Sequence, residues 1–121
     1  MDAQSPFGLI LLAQPMFRRR LRLGAFVAYV ALDQRVSLRV QLEGMERAES
    51  GEYLRHHLSL CGRSDPLFSD DAVAVLHHAS RGLPRALNNL ALQALIATFA
   101  ESKGIVDERA AKMAVVEVNG E

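Results

Sequence analysis

The run Phe7-Gly8-Leu9-Ile10-Leu11-Leu12-Ala13, held between Pro6 and Pro15, constrains the chain most. A continuous apolar run of this length reads as a strand buried on both faces. Such strands belong to parallel sheets covered by helices. A second segment, 36–43, alternates Val36, Leu38, Val40 and Leu42 with Ser37, Arg39, Gln41 and Glu43. Period two over that length reads as a strand with one buried face. Two strands do not make a covered parallel sheet, which normally takes three or more. The backbone of 7–13 also needs hydrogen-bond partners on both sides. Residues 1–43 therefore read as an incomplete α/β piece. It is either the tail of a larger domain or a half completed by another copy.

Between and after these segments the patterns are helical. Pro15 opens a helix over 15–23 as its first residue, and Gly24 breaks it. A second short helix covers 25–35. From Gly44 onward only helices appear. One covers 45–62, with Ala48, Leu54, Leu58 and Cys61 on one face and Gly51 as a weak point costing about 1 kcal/mol relative to Ala. Residues 62–68 form a loop. Ser69 caps the next helix, with Asp70 and Asp71 in its first turn and Ala72, Val75, Leu76 and Ala79 facing inward. Pro84 starts the longest helix, carrying Leu87, Leu90, Ala91, Ala94, Leu95, Thr98 and Phe99, and Lys103-Gly104 closes it. Asp107 caps the last, whose inner face is Ala111, Ala114, Val115 and Val118, with Val106 and Ala111 stapling across the cap. The expected fold class is an α/β fragment followed by an all-α bundle, mainly helical overall. The expected domains are 1–43, the incomplete core, and 44–121, a helical domain.

Half of the 121 residues are hydrophobic, which is enough for one domain with a real core. Formal net charge is zero, so no global field calls for nucleic acid or membrane. The charge is uneven, though. Residues 1–40 hold six Arg (18, 19, 20, 22, 35, 39) against Asp2 and Asp33, a net +4. Residues 41–121 hold eight basic and twelve acidic residues, a net −4. Cys61 is alone, which excludes an internal disulfide and favours a reducing compartment. No run is long enough to span a bilayer and none makes a good signal peptide, so the chain reads as soluble and cytoplasmic, without membrane insertion.

Arg85 sits one residue after Pro84, in the first turn of the longest helix. A cation there opposes the helix dipole by a few tenths of a kcal/mol when exposed. It is either a solvated side chain or one of a set of groups facing an anion. The pairs His56-His57 and His77-His78 do not chelate as units, because adjacent helical residues point about 100° apart. His57 and Cys61, four apart, lack the further ligands of a tetrahedral site, so no metal is assigned. Arg18, Arg19, Arg20 and Arg22 form either a solvated or intersubunit patch or a contact to DNA phosphates. No aromatic residue is interleaved for stacking on single strands.

Four blocks occur in order: LILLAQPMFRRRL (9–21), LDQRVSLRVQLEGM (32–45), LFSDDAVAVLHHASRGLPRALNNLALQALIATFA (67–100) and GIVDERA (104–110). Together they resemble the C-terminal half of AAA+ ATPases of the ExeA, or general secretion pathway protein A, type. TniB-like and MuB-like ATPases encoded beside transposases are close relatives of that type. The resemblance covers nearly the whole chain, and GLPRALNNLALQAL is its most specific block. It implies the last strands of a P-loop AAA+ core followed by a helical lid domain. Gln14 then matches sensor 1. Arg35 matches an arginine finger reaching a neighbour's nucleotide, and Arg85 with Gly82 and Pro84 matches sensor 2 at the phosphates. Cations spread around a transferring phosphoryl group, one of them supplied in trans, suit that chemistry. The intact family binds ATP and Mg²⁺, couples hydrolysis to assembly, and works with secretion or transposase partners. This sequence departs from the pattern in one respect: it has no GxxxxGK[ST] and no apolar strand ending in Asp-Glu. The chain alone is therefore expected neither to bind ATP tightly nor to hydrolyse it, and its two orphan strands invite self-association. The alternative is a non-enzymatic helical module that acts by protein contact.

Overall fold

In the computed structural model, residues 6–24 and 26–120 are described. The chain divides into two compact units, Met1–Leu42 and Glu43–Glu121.

The first unit contains α1 (Pro15–Leu23) and α2 (Val27–Arg35). Pro15 is the first residue of α1, where its missing N–H costs nothing. Gly24 closes the helix in the left-handed conformation, with φ 56°. The two helices meet through aromatic edges: Tyr29 packs against Phe17 at 5.8 Å and against Phe26 at 5.2 Å between ring centroids. Leu21 is buried beside them. Arg39 ties the following segment back to the end of α2, with its guanidinium 2.7 Å from the Asp33 carboxylate.

The segments expected to be strands, 7–13 and 36–43, form neither helix nor strand among the described residues. A strand exists through its ladder, and the described residues offer neither segment the neighbours that a covered sheet requires. Their apolar side chains are left outside: Ile10 is 84% exposed, Leu12 88% and Leu42 89%. The expected α/β core portion is thus not seen, and the described residues are mainly helical, with six helices.

The second unit is a bundle of α3 (Arg47–Leu60), α4 (Asp70–Ser80), α5 (Pro84–Ala100) and α6 (Glu108–Asn119). Ser69 Oγ accepts from the Ala72 N–H at 3.1 Å and starts α4. Asp107 Oδ1 accepts from the Ala110 N–H at 2.9 Å and starts α6. The chain just before these two caps is paired. Ser69 N–H donates to Val106 O at 2.9 Å, and Val106 N–H donates to Leu67 O at 2.8 Å. That parallel bridge brings the starts of α4 and α6 together, and Val106 is buried in the same core cluster as Ala111.

The core is built from Leu54 of α3, Leu76 of α4, and Leu87 and Leu90 of α5, with alanines at 72, 91, 94, 110, 111 and 114. Small side chains at so many facing positions let the helix backbones approach closely. Several expected core positions lie outside instead: Ala48, Cys61, Ala79, Phe99 and Val118 are exposed. Phe99 sits in the last turn of α5. That helix ends at Ala100, not at Lys103-Gly104, and Ser102 rather than Gly104 takes the left-handed conformation (φ 57°). Lys103 is drawn away from a C-terminal capping role by two carboxylates, Glu101 and Asp107, each 3.1 Å from its Nζ.

Candidate functional site

The α4–α5 turn joins the candidate residues Gly82, Pro84 and Arg85. Arg81 caps α4 in the left-handed conformation (φ 56°) and Gly82 follows it at φ 70°. Two successive positive φ values reverse the chain so tightly that α5 starts two residues later. The turn is fastened to α4 from inside. Gly82 N–H donates to His77 O (3.3 Å) and to Ser80 Oγ (3.2 Å), and Leu83 N–H donates to Ser80 O (3.1 Å). Ser80 is buried, and its hydroxyl donates to His77 O at 3.1 Å. Its hydrogen-bonding capacity is therefore used within the turn.

The first turn of α5 differs from that of the other helices in this unit. α3 has Glu49 in its first turn, α4 has Asp70 and Asp71, and α6 has Glu108. α5 has no acidic residue there, and its N-cap is Leu83, which offers no side-chain acceptor. Pro84 has no N–H to satisfy. Leu87 N–H is bonded to Leu83 O at 2.9 Å. That leaves the N–H groups of Arg85 and Ala86 at the positive end of the helix dipole without a capping side chain among the described residues. The Arg85 side chain is exposed and makes no ion pair or hydrogen bond among them. Two backbone donors and one forked cation at a helix start are suited to an anion with several oxygens, such as a phosphate. They offer charge and hydrogen bonds but no nucleophile and no base, so the arrangement can bind and orient but not make or break bonds by itself.

The other candidates lie in the first unit. Gln14 occupies the N-cap position of α1, exposed and with no capping bond from its side chain. Arg35 is the last residue of α2 and is exposed. Of the four arginines on α1, Arg18 is half-buried and donates to Gln41 Oε1 at 3.1 Å, while Arg19, Arg20 and Arg22 are exposed. Arg20 and Arg22 lie in the last turn, where the dipole favours cations. The His57 ring packs against Tyr53, with centroids 4.3 Å apart, and Cys61 is exposed at the end of α3. No three metal-ligating side chains gather among the described residues, and no helix among them is long and apolar enough to cross a membrane.

Two features of this region were not singled out from the sequence. One is the buried Ser50 hydroxyl of α3, 2.8 Å from His77 Nδ1 of α4. The other is Gly44, whose backbone lies against Arg81 and Gly82. A Gly at the composition change and a second Gly two residues before Pro84 are the only sequence signals of that contact.

The chain is 29% identical to General secretion pathway protein A of Aeromonas hydrophila over 119 residues. The match spans 98% of this chain but only 21% of that protein's length. No protein-family model and no solved structure matches the chain.

Proposed function

We propose that residues 44–121 act as the helical lid of an ExeA-like AAA+ ATPase, with Arg85 contacting the phosphates of bound ATP. In this reading residues 1–43 are the last part of the α/β core. Arg35 then serves as an arginine finger toward a neighbouring subunit and Gln14 orients the γ-phosphate or its water. The observation that carries the reading is the start of α5: an exposed arginine, two uncapped N–H groups and no acidic residue. Similarity to General secretion pathway protein A along almost the whole chain supports it. Arg85 and the adjacent N–H groups fit a phosphate. Nothing in the sequence fits the phosphate-cradling loop or the Mg²⁺ ligands, so those parts belong to other residues of such an ATPase. When bound, the nucleotide supplies the bond that is broken. This chain's residues hold its charge and report its presence. Whether the partner complex serves secretion or transposition is a further step of the same proposal. So is a DNA contact through Arg18, Arg19, Arg20 and Arg22.

The test is a titration of the ¹⁵N-labelled chain with millimolar ATP·Mg²⁺, read by amide shifts. The expected result is weak binding with the largest shifts at Arg85 and Ala86. Arg85→Ala weakens it at least about tenfold, since a hydrogen bond to a charged group is worth about 1.5–3 kcal/mol. Shifts confined to α1, or none at all, overturn the phosphate reading. They would favour the protein-contact module, for which the exposed apolar side chains of 7–12 and 38–42 speak.

A further inference from the structure

Gly44 and Gly82 lock two stretches of backbone together. A Cβ on Gly44 would overlap the carbonyl oxygen of Arg81 and lie 3.2 Å from its carbonyl carbon. A Cβ on Gly82 would overlap the carbonyl oxygen of Met45 and lie 2.7 Å from its nitrogen. Each glycine thus leaves open the space that the other segment's carbonyl fills. Met45 N–H completes the contact by donating to Gly82 O at 2.9 Å. Such reciprocal closeness is available only to glycine on both sides. The turn is therefore held twice, by Ser80 and His77 from α4 and by Gly44-Met45 from the segment before α3. Met45 is itself fixed, packed half-buried against the core.

We infer that this glycine clasp is a positioning device for the first turn of α5. Arg85 follows Gly82 by one leucine and one proline, and the fixed φ of Pro84 allows little slack between them. Gly44 also stands at the start of the second unit, immediately after Glu43. A displacement of the chain at that junction is thereby transmitted to the start of α5 through two backbones in contact, without any side chain having to move. The clasp stands without any ligand. Only its consequence for phosphate binding rests on the reading proposed above. Gly44, Gly82 and Met45 are positioning residues, since nothing places them on the anion itself.

The test compares Gly44→Ala with Gly104→Ala, a glycine with open space around its Cβ. Amide hydrogen exchange is read on the whole chain. In Gly44→Ala, exchange at Met45 rises at least about tenfold. Exchange at Leu87 rises with it, while Ala111 and Ala114 of α6 keep their protection. The Arg85 and Ala86 resonances move, and their ATP response weakens although helical content is unchanged. Gly104→Ala changes none of these. Faster exchange at Met45 with Leu87, Arg85 and Ala86 as in the unaltered chain overturns the inference. Should Gly44→Ala fail to fold, native-state exchange of the unaltered chain decides. The Met45 and Leu87 amides are expected to open together, with the same denaturant dependence, and separate openings overturn the clasp. An unaltered chain with no ATP response at Arg85 removes the phosphate reading and leaves the clasp to be judged on exchange alone.

Discussion

Asp107 carries two jobs with one carboxylate. It accepts the Ala110 N–H that opens α6, and it receives Lys103 Nζ at 3.1 Å. The bond from the Ala110 N–H and then the Lys103 ammonium hold its carboxyl below the usual carboxylate range. The folded value is thus lower than the unfolded one. The group's contribution is present above the unfolded value and is lost as pH falls through the folded value. Asn keeps an acceptor oxygen at the cap but does not titrate. Asp107→Asn is therefore expected to flatten the fall of Tm on acidification while leaving α6 formed, and thermal melts across the carboxylate range read it. An equally steep fall in the variant would assign the acid sensitivity elsewhere. Asp65 is the contrast. Its carboxyl is held down to about 2 by Arg63, 2.8 Å away, but both side chains are half in water and pin no element. An exposed pair of that kind adds little to stability.

Within the bundle, α4 and α5 separate what burial does from what hydrophobicity alone suggests. Leu76 of α4 is fully buried in the bundle core, and Leu92 is 57% exposed on α5. Leu76→Ala is expected to cost about 2–5 kcal/mol in urea unfolding, from lost transfer energy plus a cavity. Leu92→Ala is expected to stay within about 0.5 kcal/mol. Comparable losses at both sites would mean that the outer face of α5 is covered. The helices themselves were legible because their signals are local. Pro15 and Pro84 at first positions, Ser69 and Asp107 as caps, and the spacing of Leu87, Leu90, Ala91 and Ala94 depend only on neighbours in sequence. The sequence predicts the end of α5 at Lys103-Gly104, because Gly104 offers the more permissive backbone, and the helix ends at Ala100. Ser102 takes the left-handed position instead, where the Lys103 N–H reaches Thr98 O at 3.1 Å. Arg85 could be picked out from its place after Pro84. Gly44 could not, since what makes it special is a carbonyl belonging to residue 81. No period or spacing encodes a contact between backbones so far apart in the chain.

At the scale of the whole molecule, the two orphan segments are the same problem seen from the other side. The period of 36–43 and the apolar run 7–13 predict strands, and neither segment forms one among the described residues, because a strand needs a ladder that the pattern cannot supply. Phe7, Leu9, Ile10, Leu11 and Leu12, then Leu38, Val40 and Leu42, are left more than half exposed. Apolar patches of that kind on a monomer mark a surface that is normally covered. One cover is always at hand, namely another copy. Residues 1–40 carry +4 and residues 41–121 carry −4, so a head-to-tail contact would join opposite charges where a symmetric one between first units would oppose like charges. Sedimentation at rising protein concentration is therefore expected to show self-association. Ile10→Ser with Leu12→Ser should weaken it without loss of helix, because both side chains are already in water. Added salt discriminates between the two forces. It screens the charge contribution, whereas apolar association persists. A chain that stays monomeric at every concentration would exclude another copy as the cover, since nothing within the described residues shields these side chains.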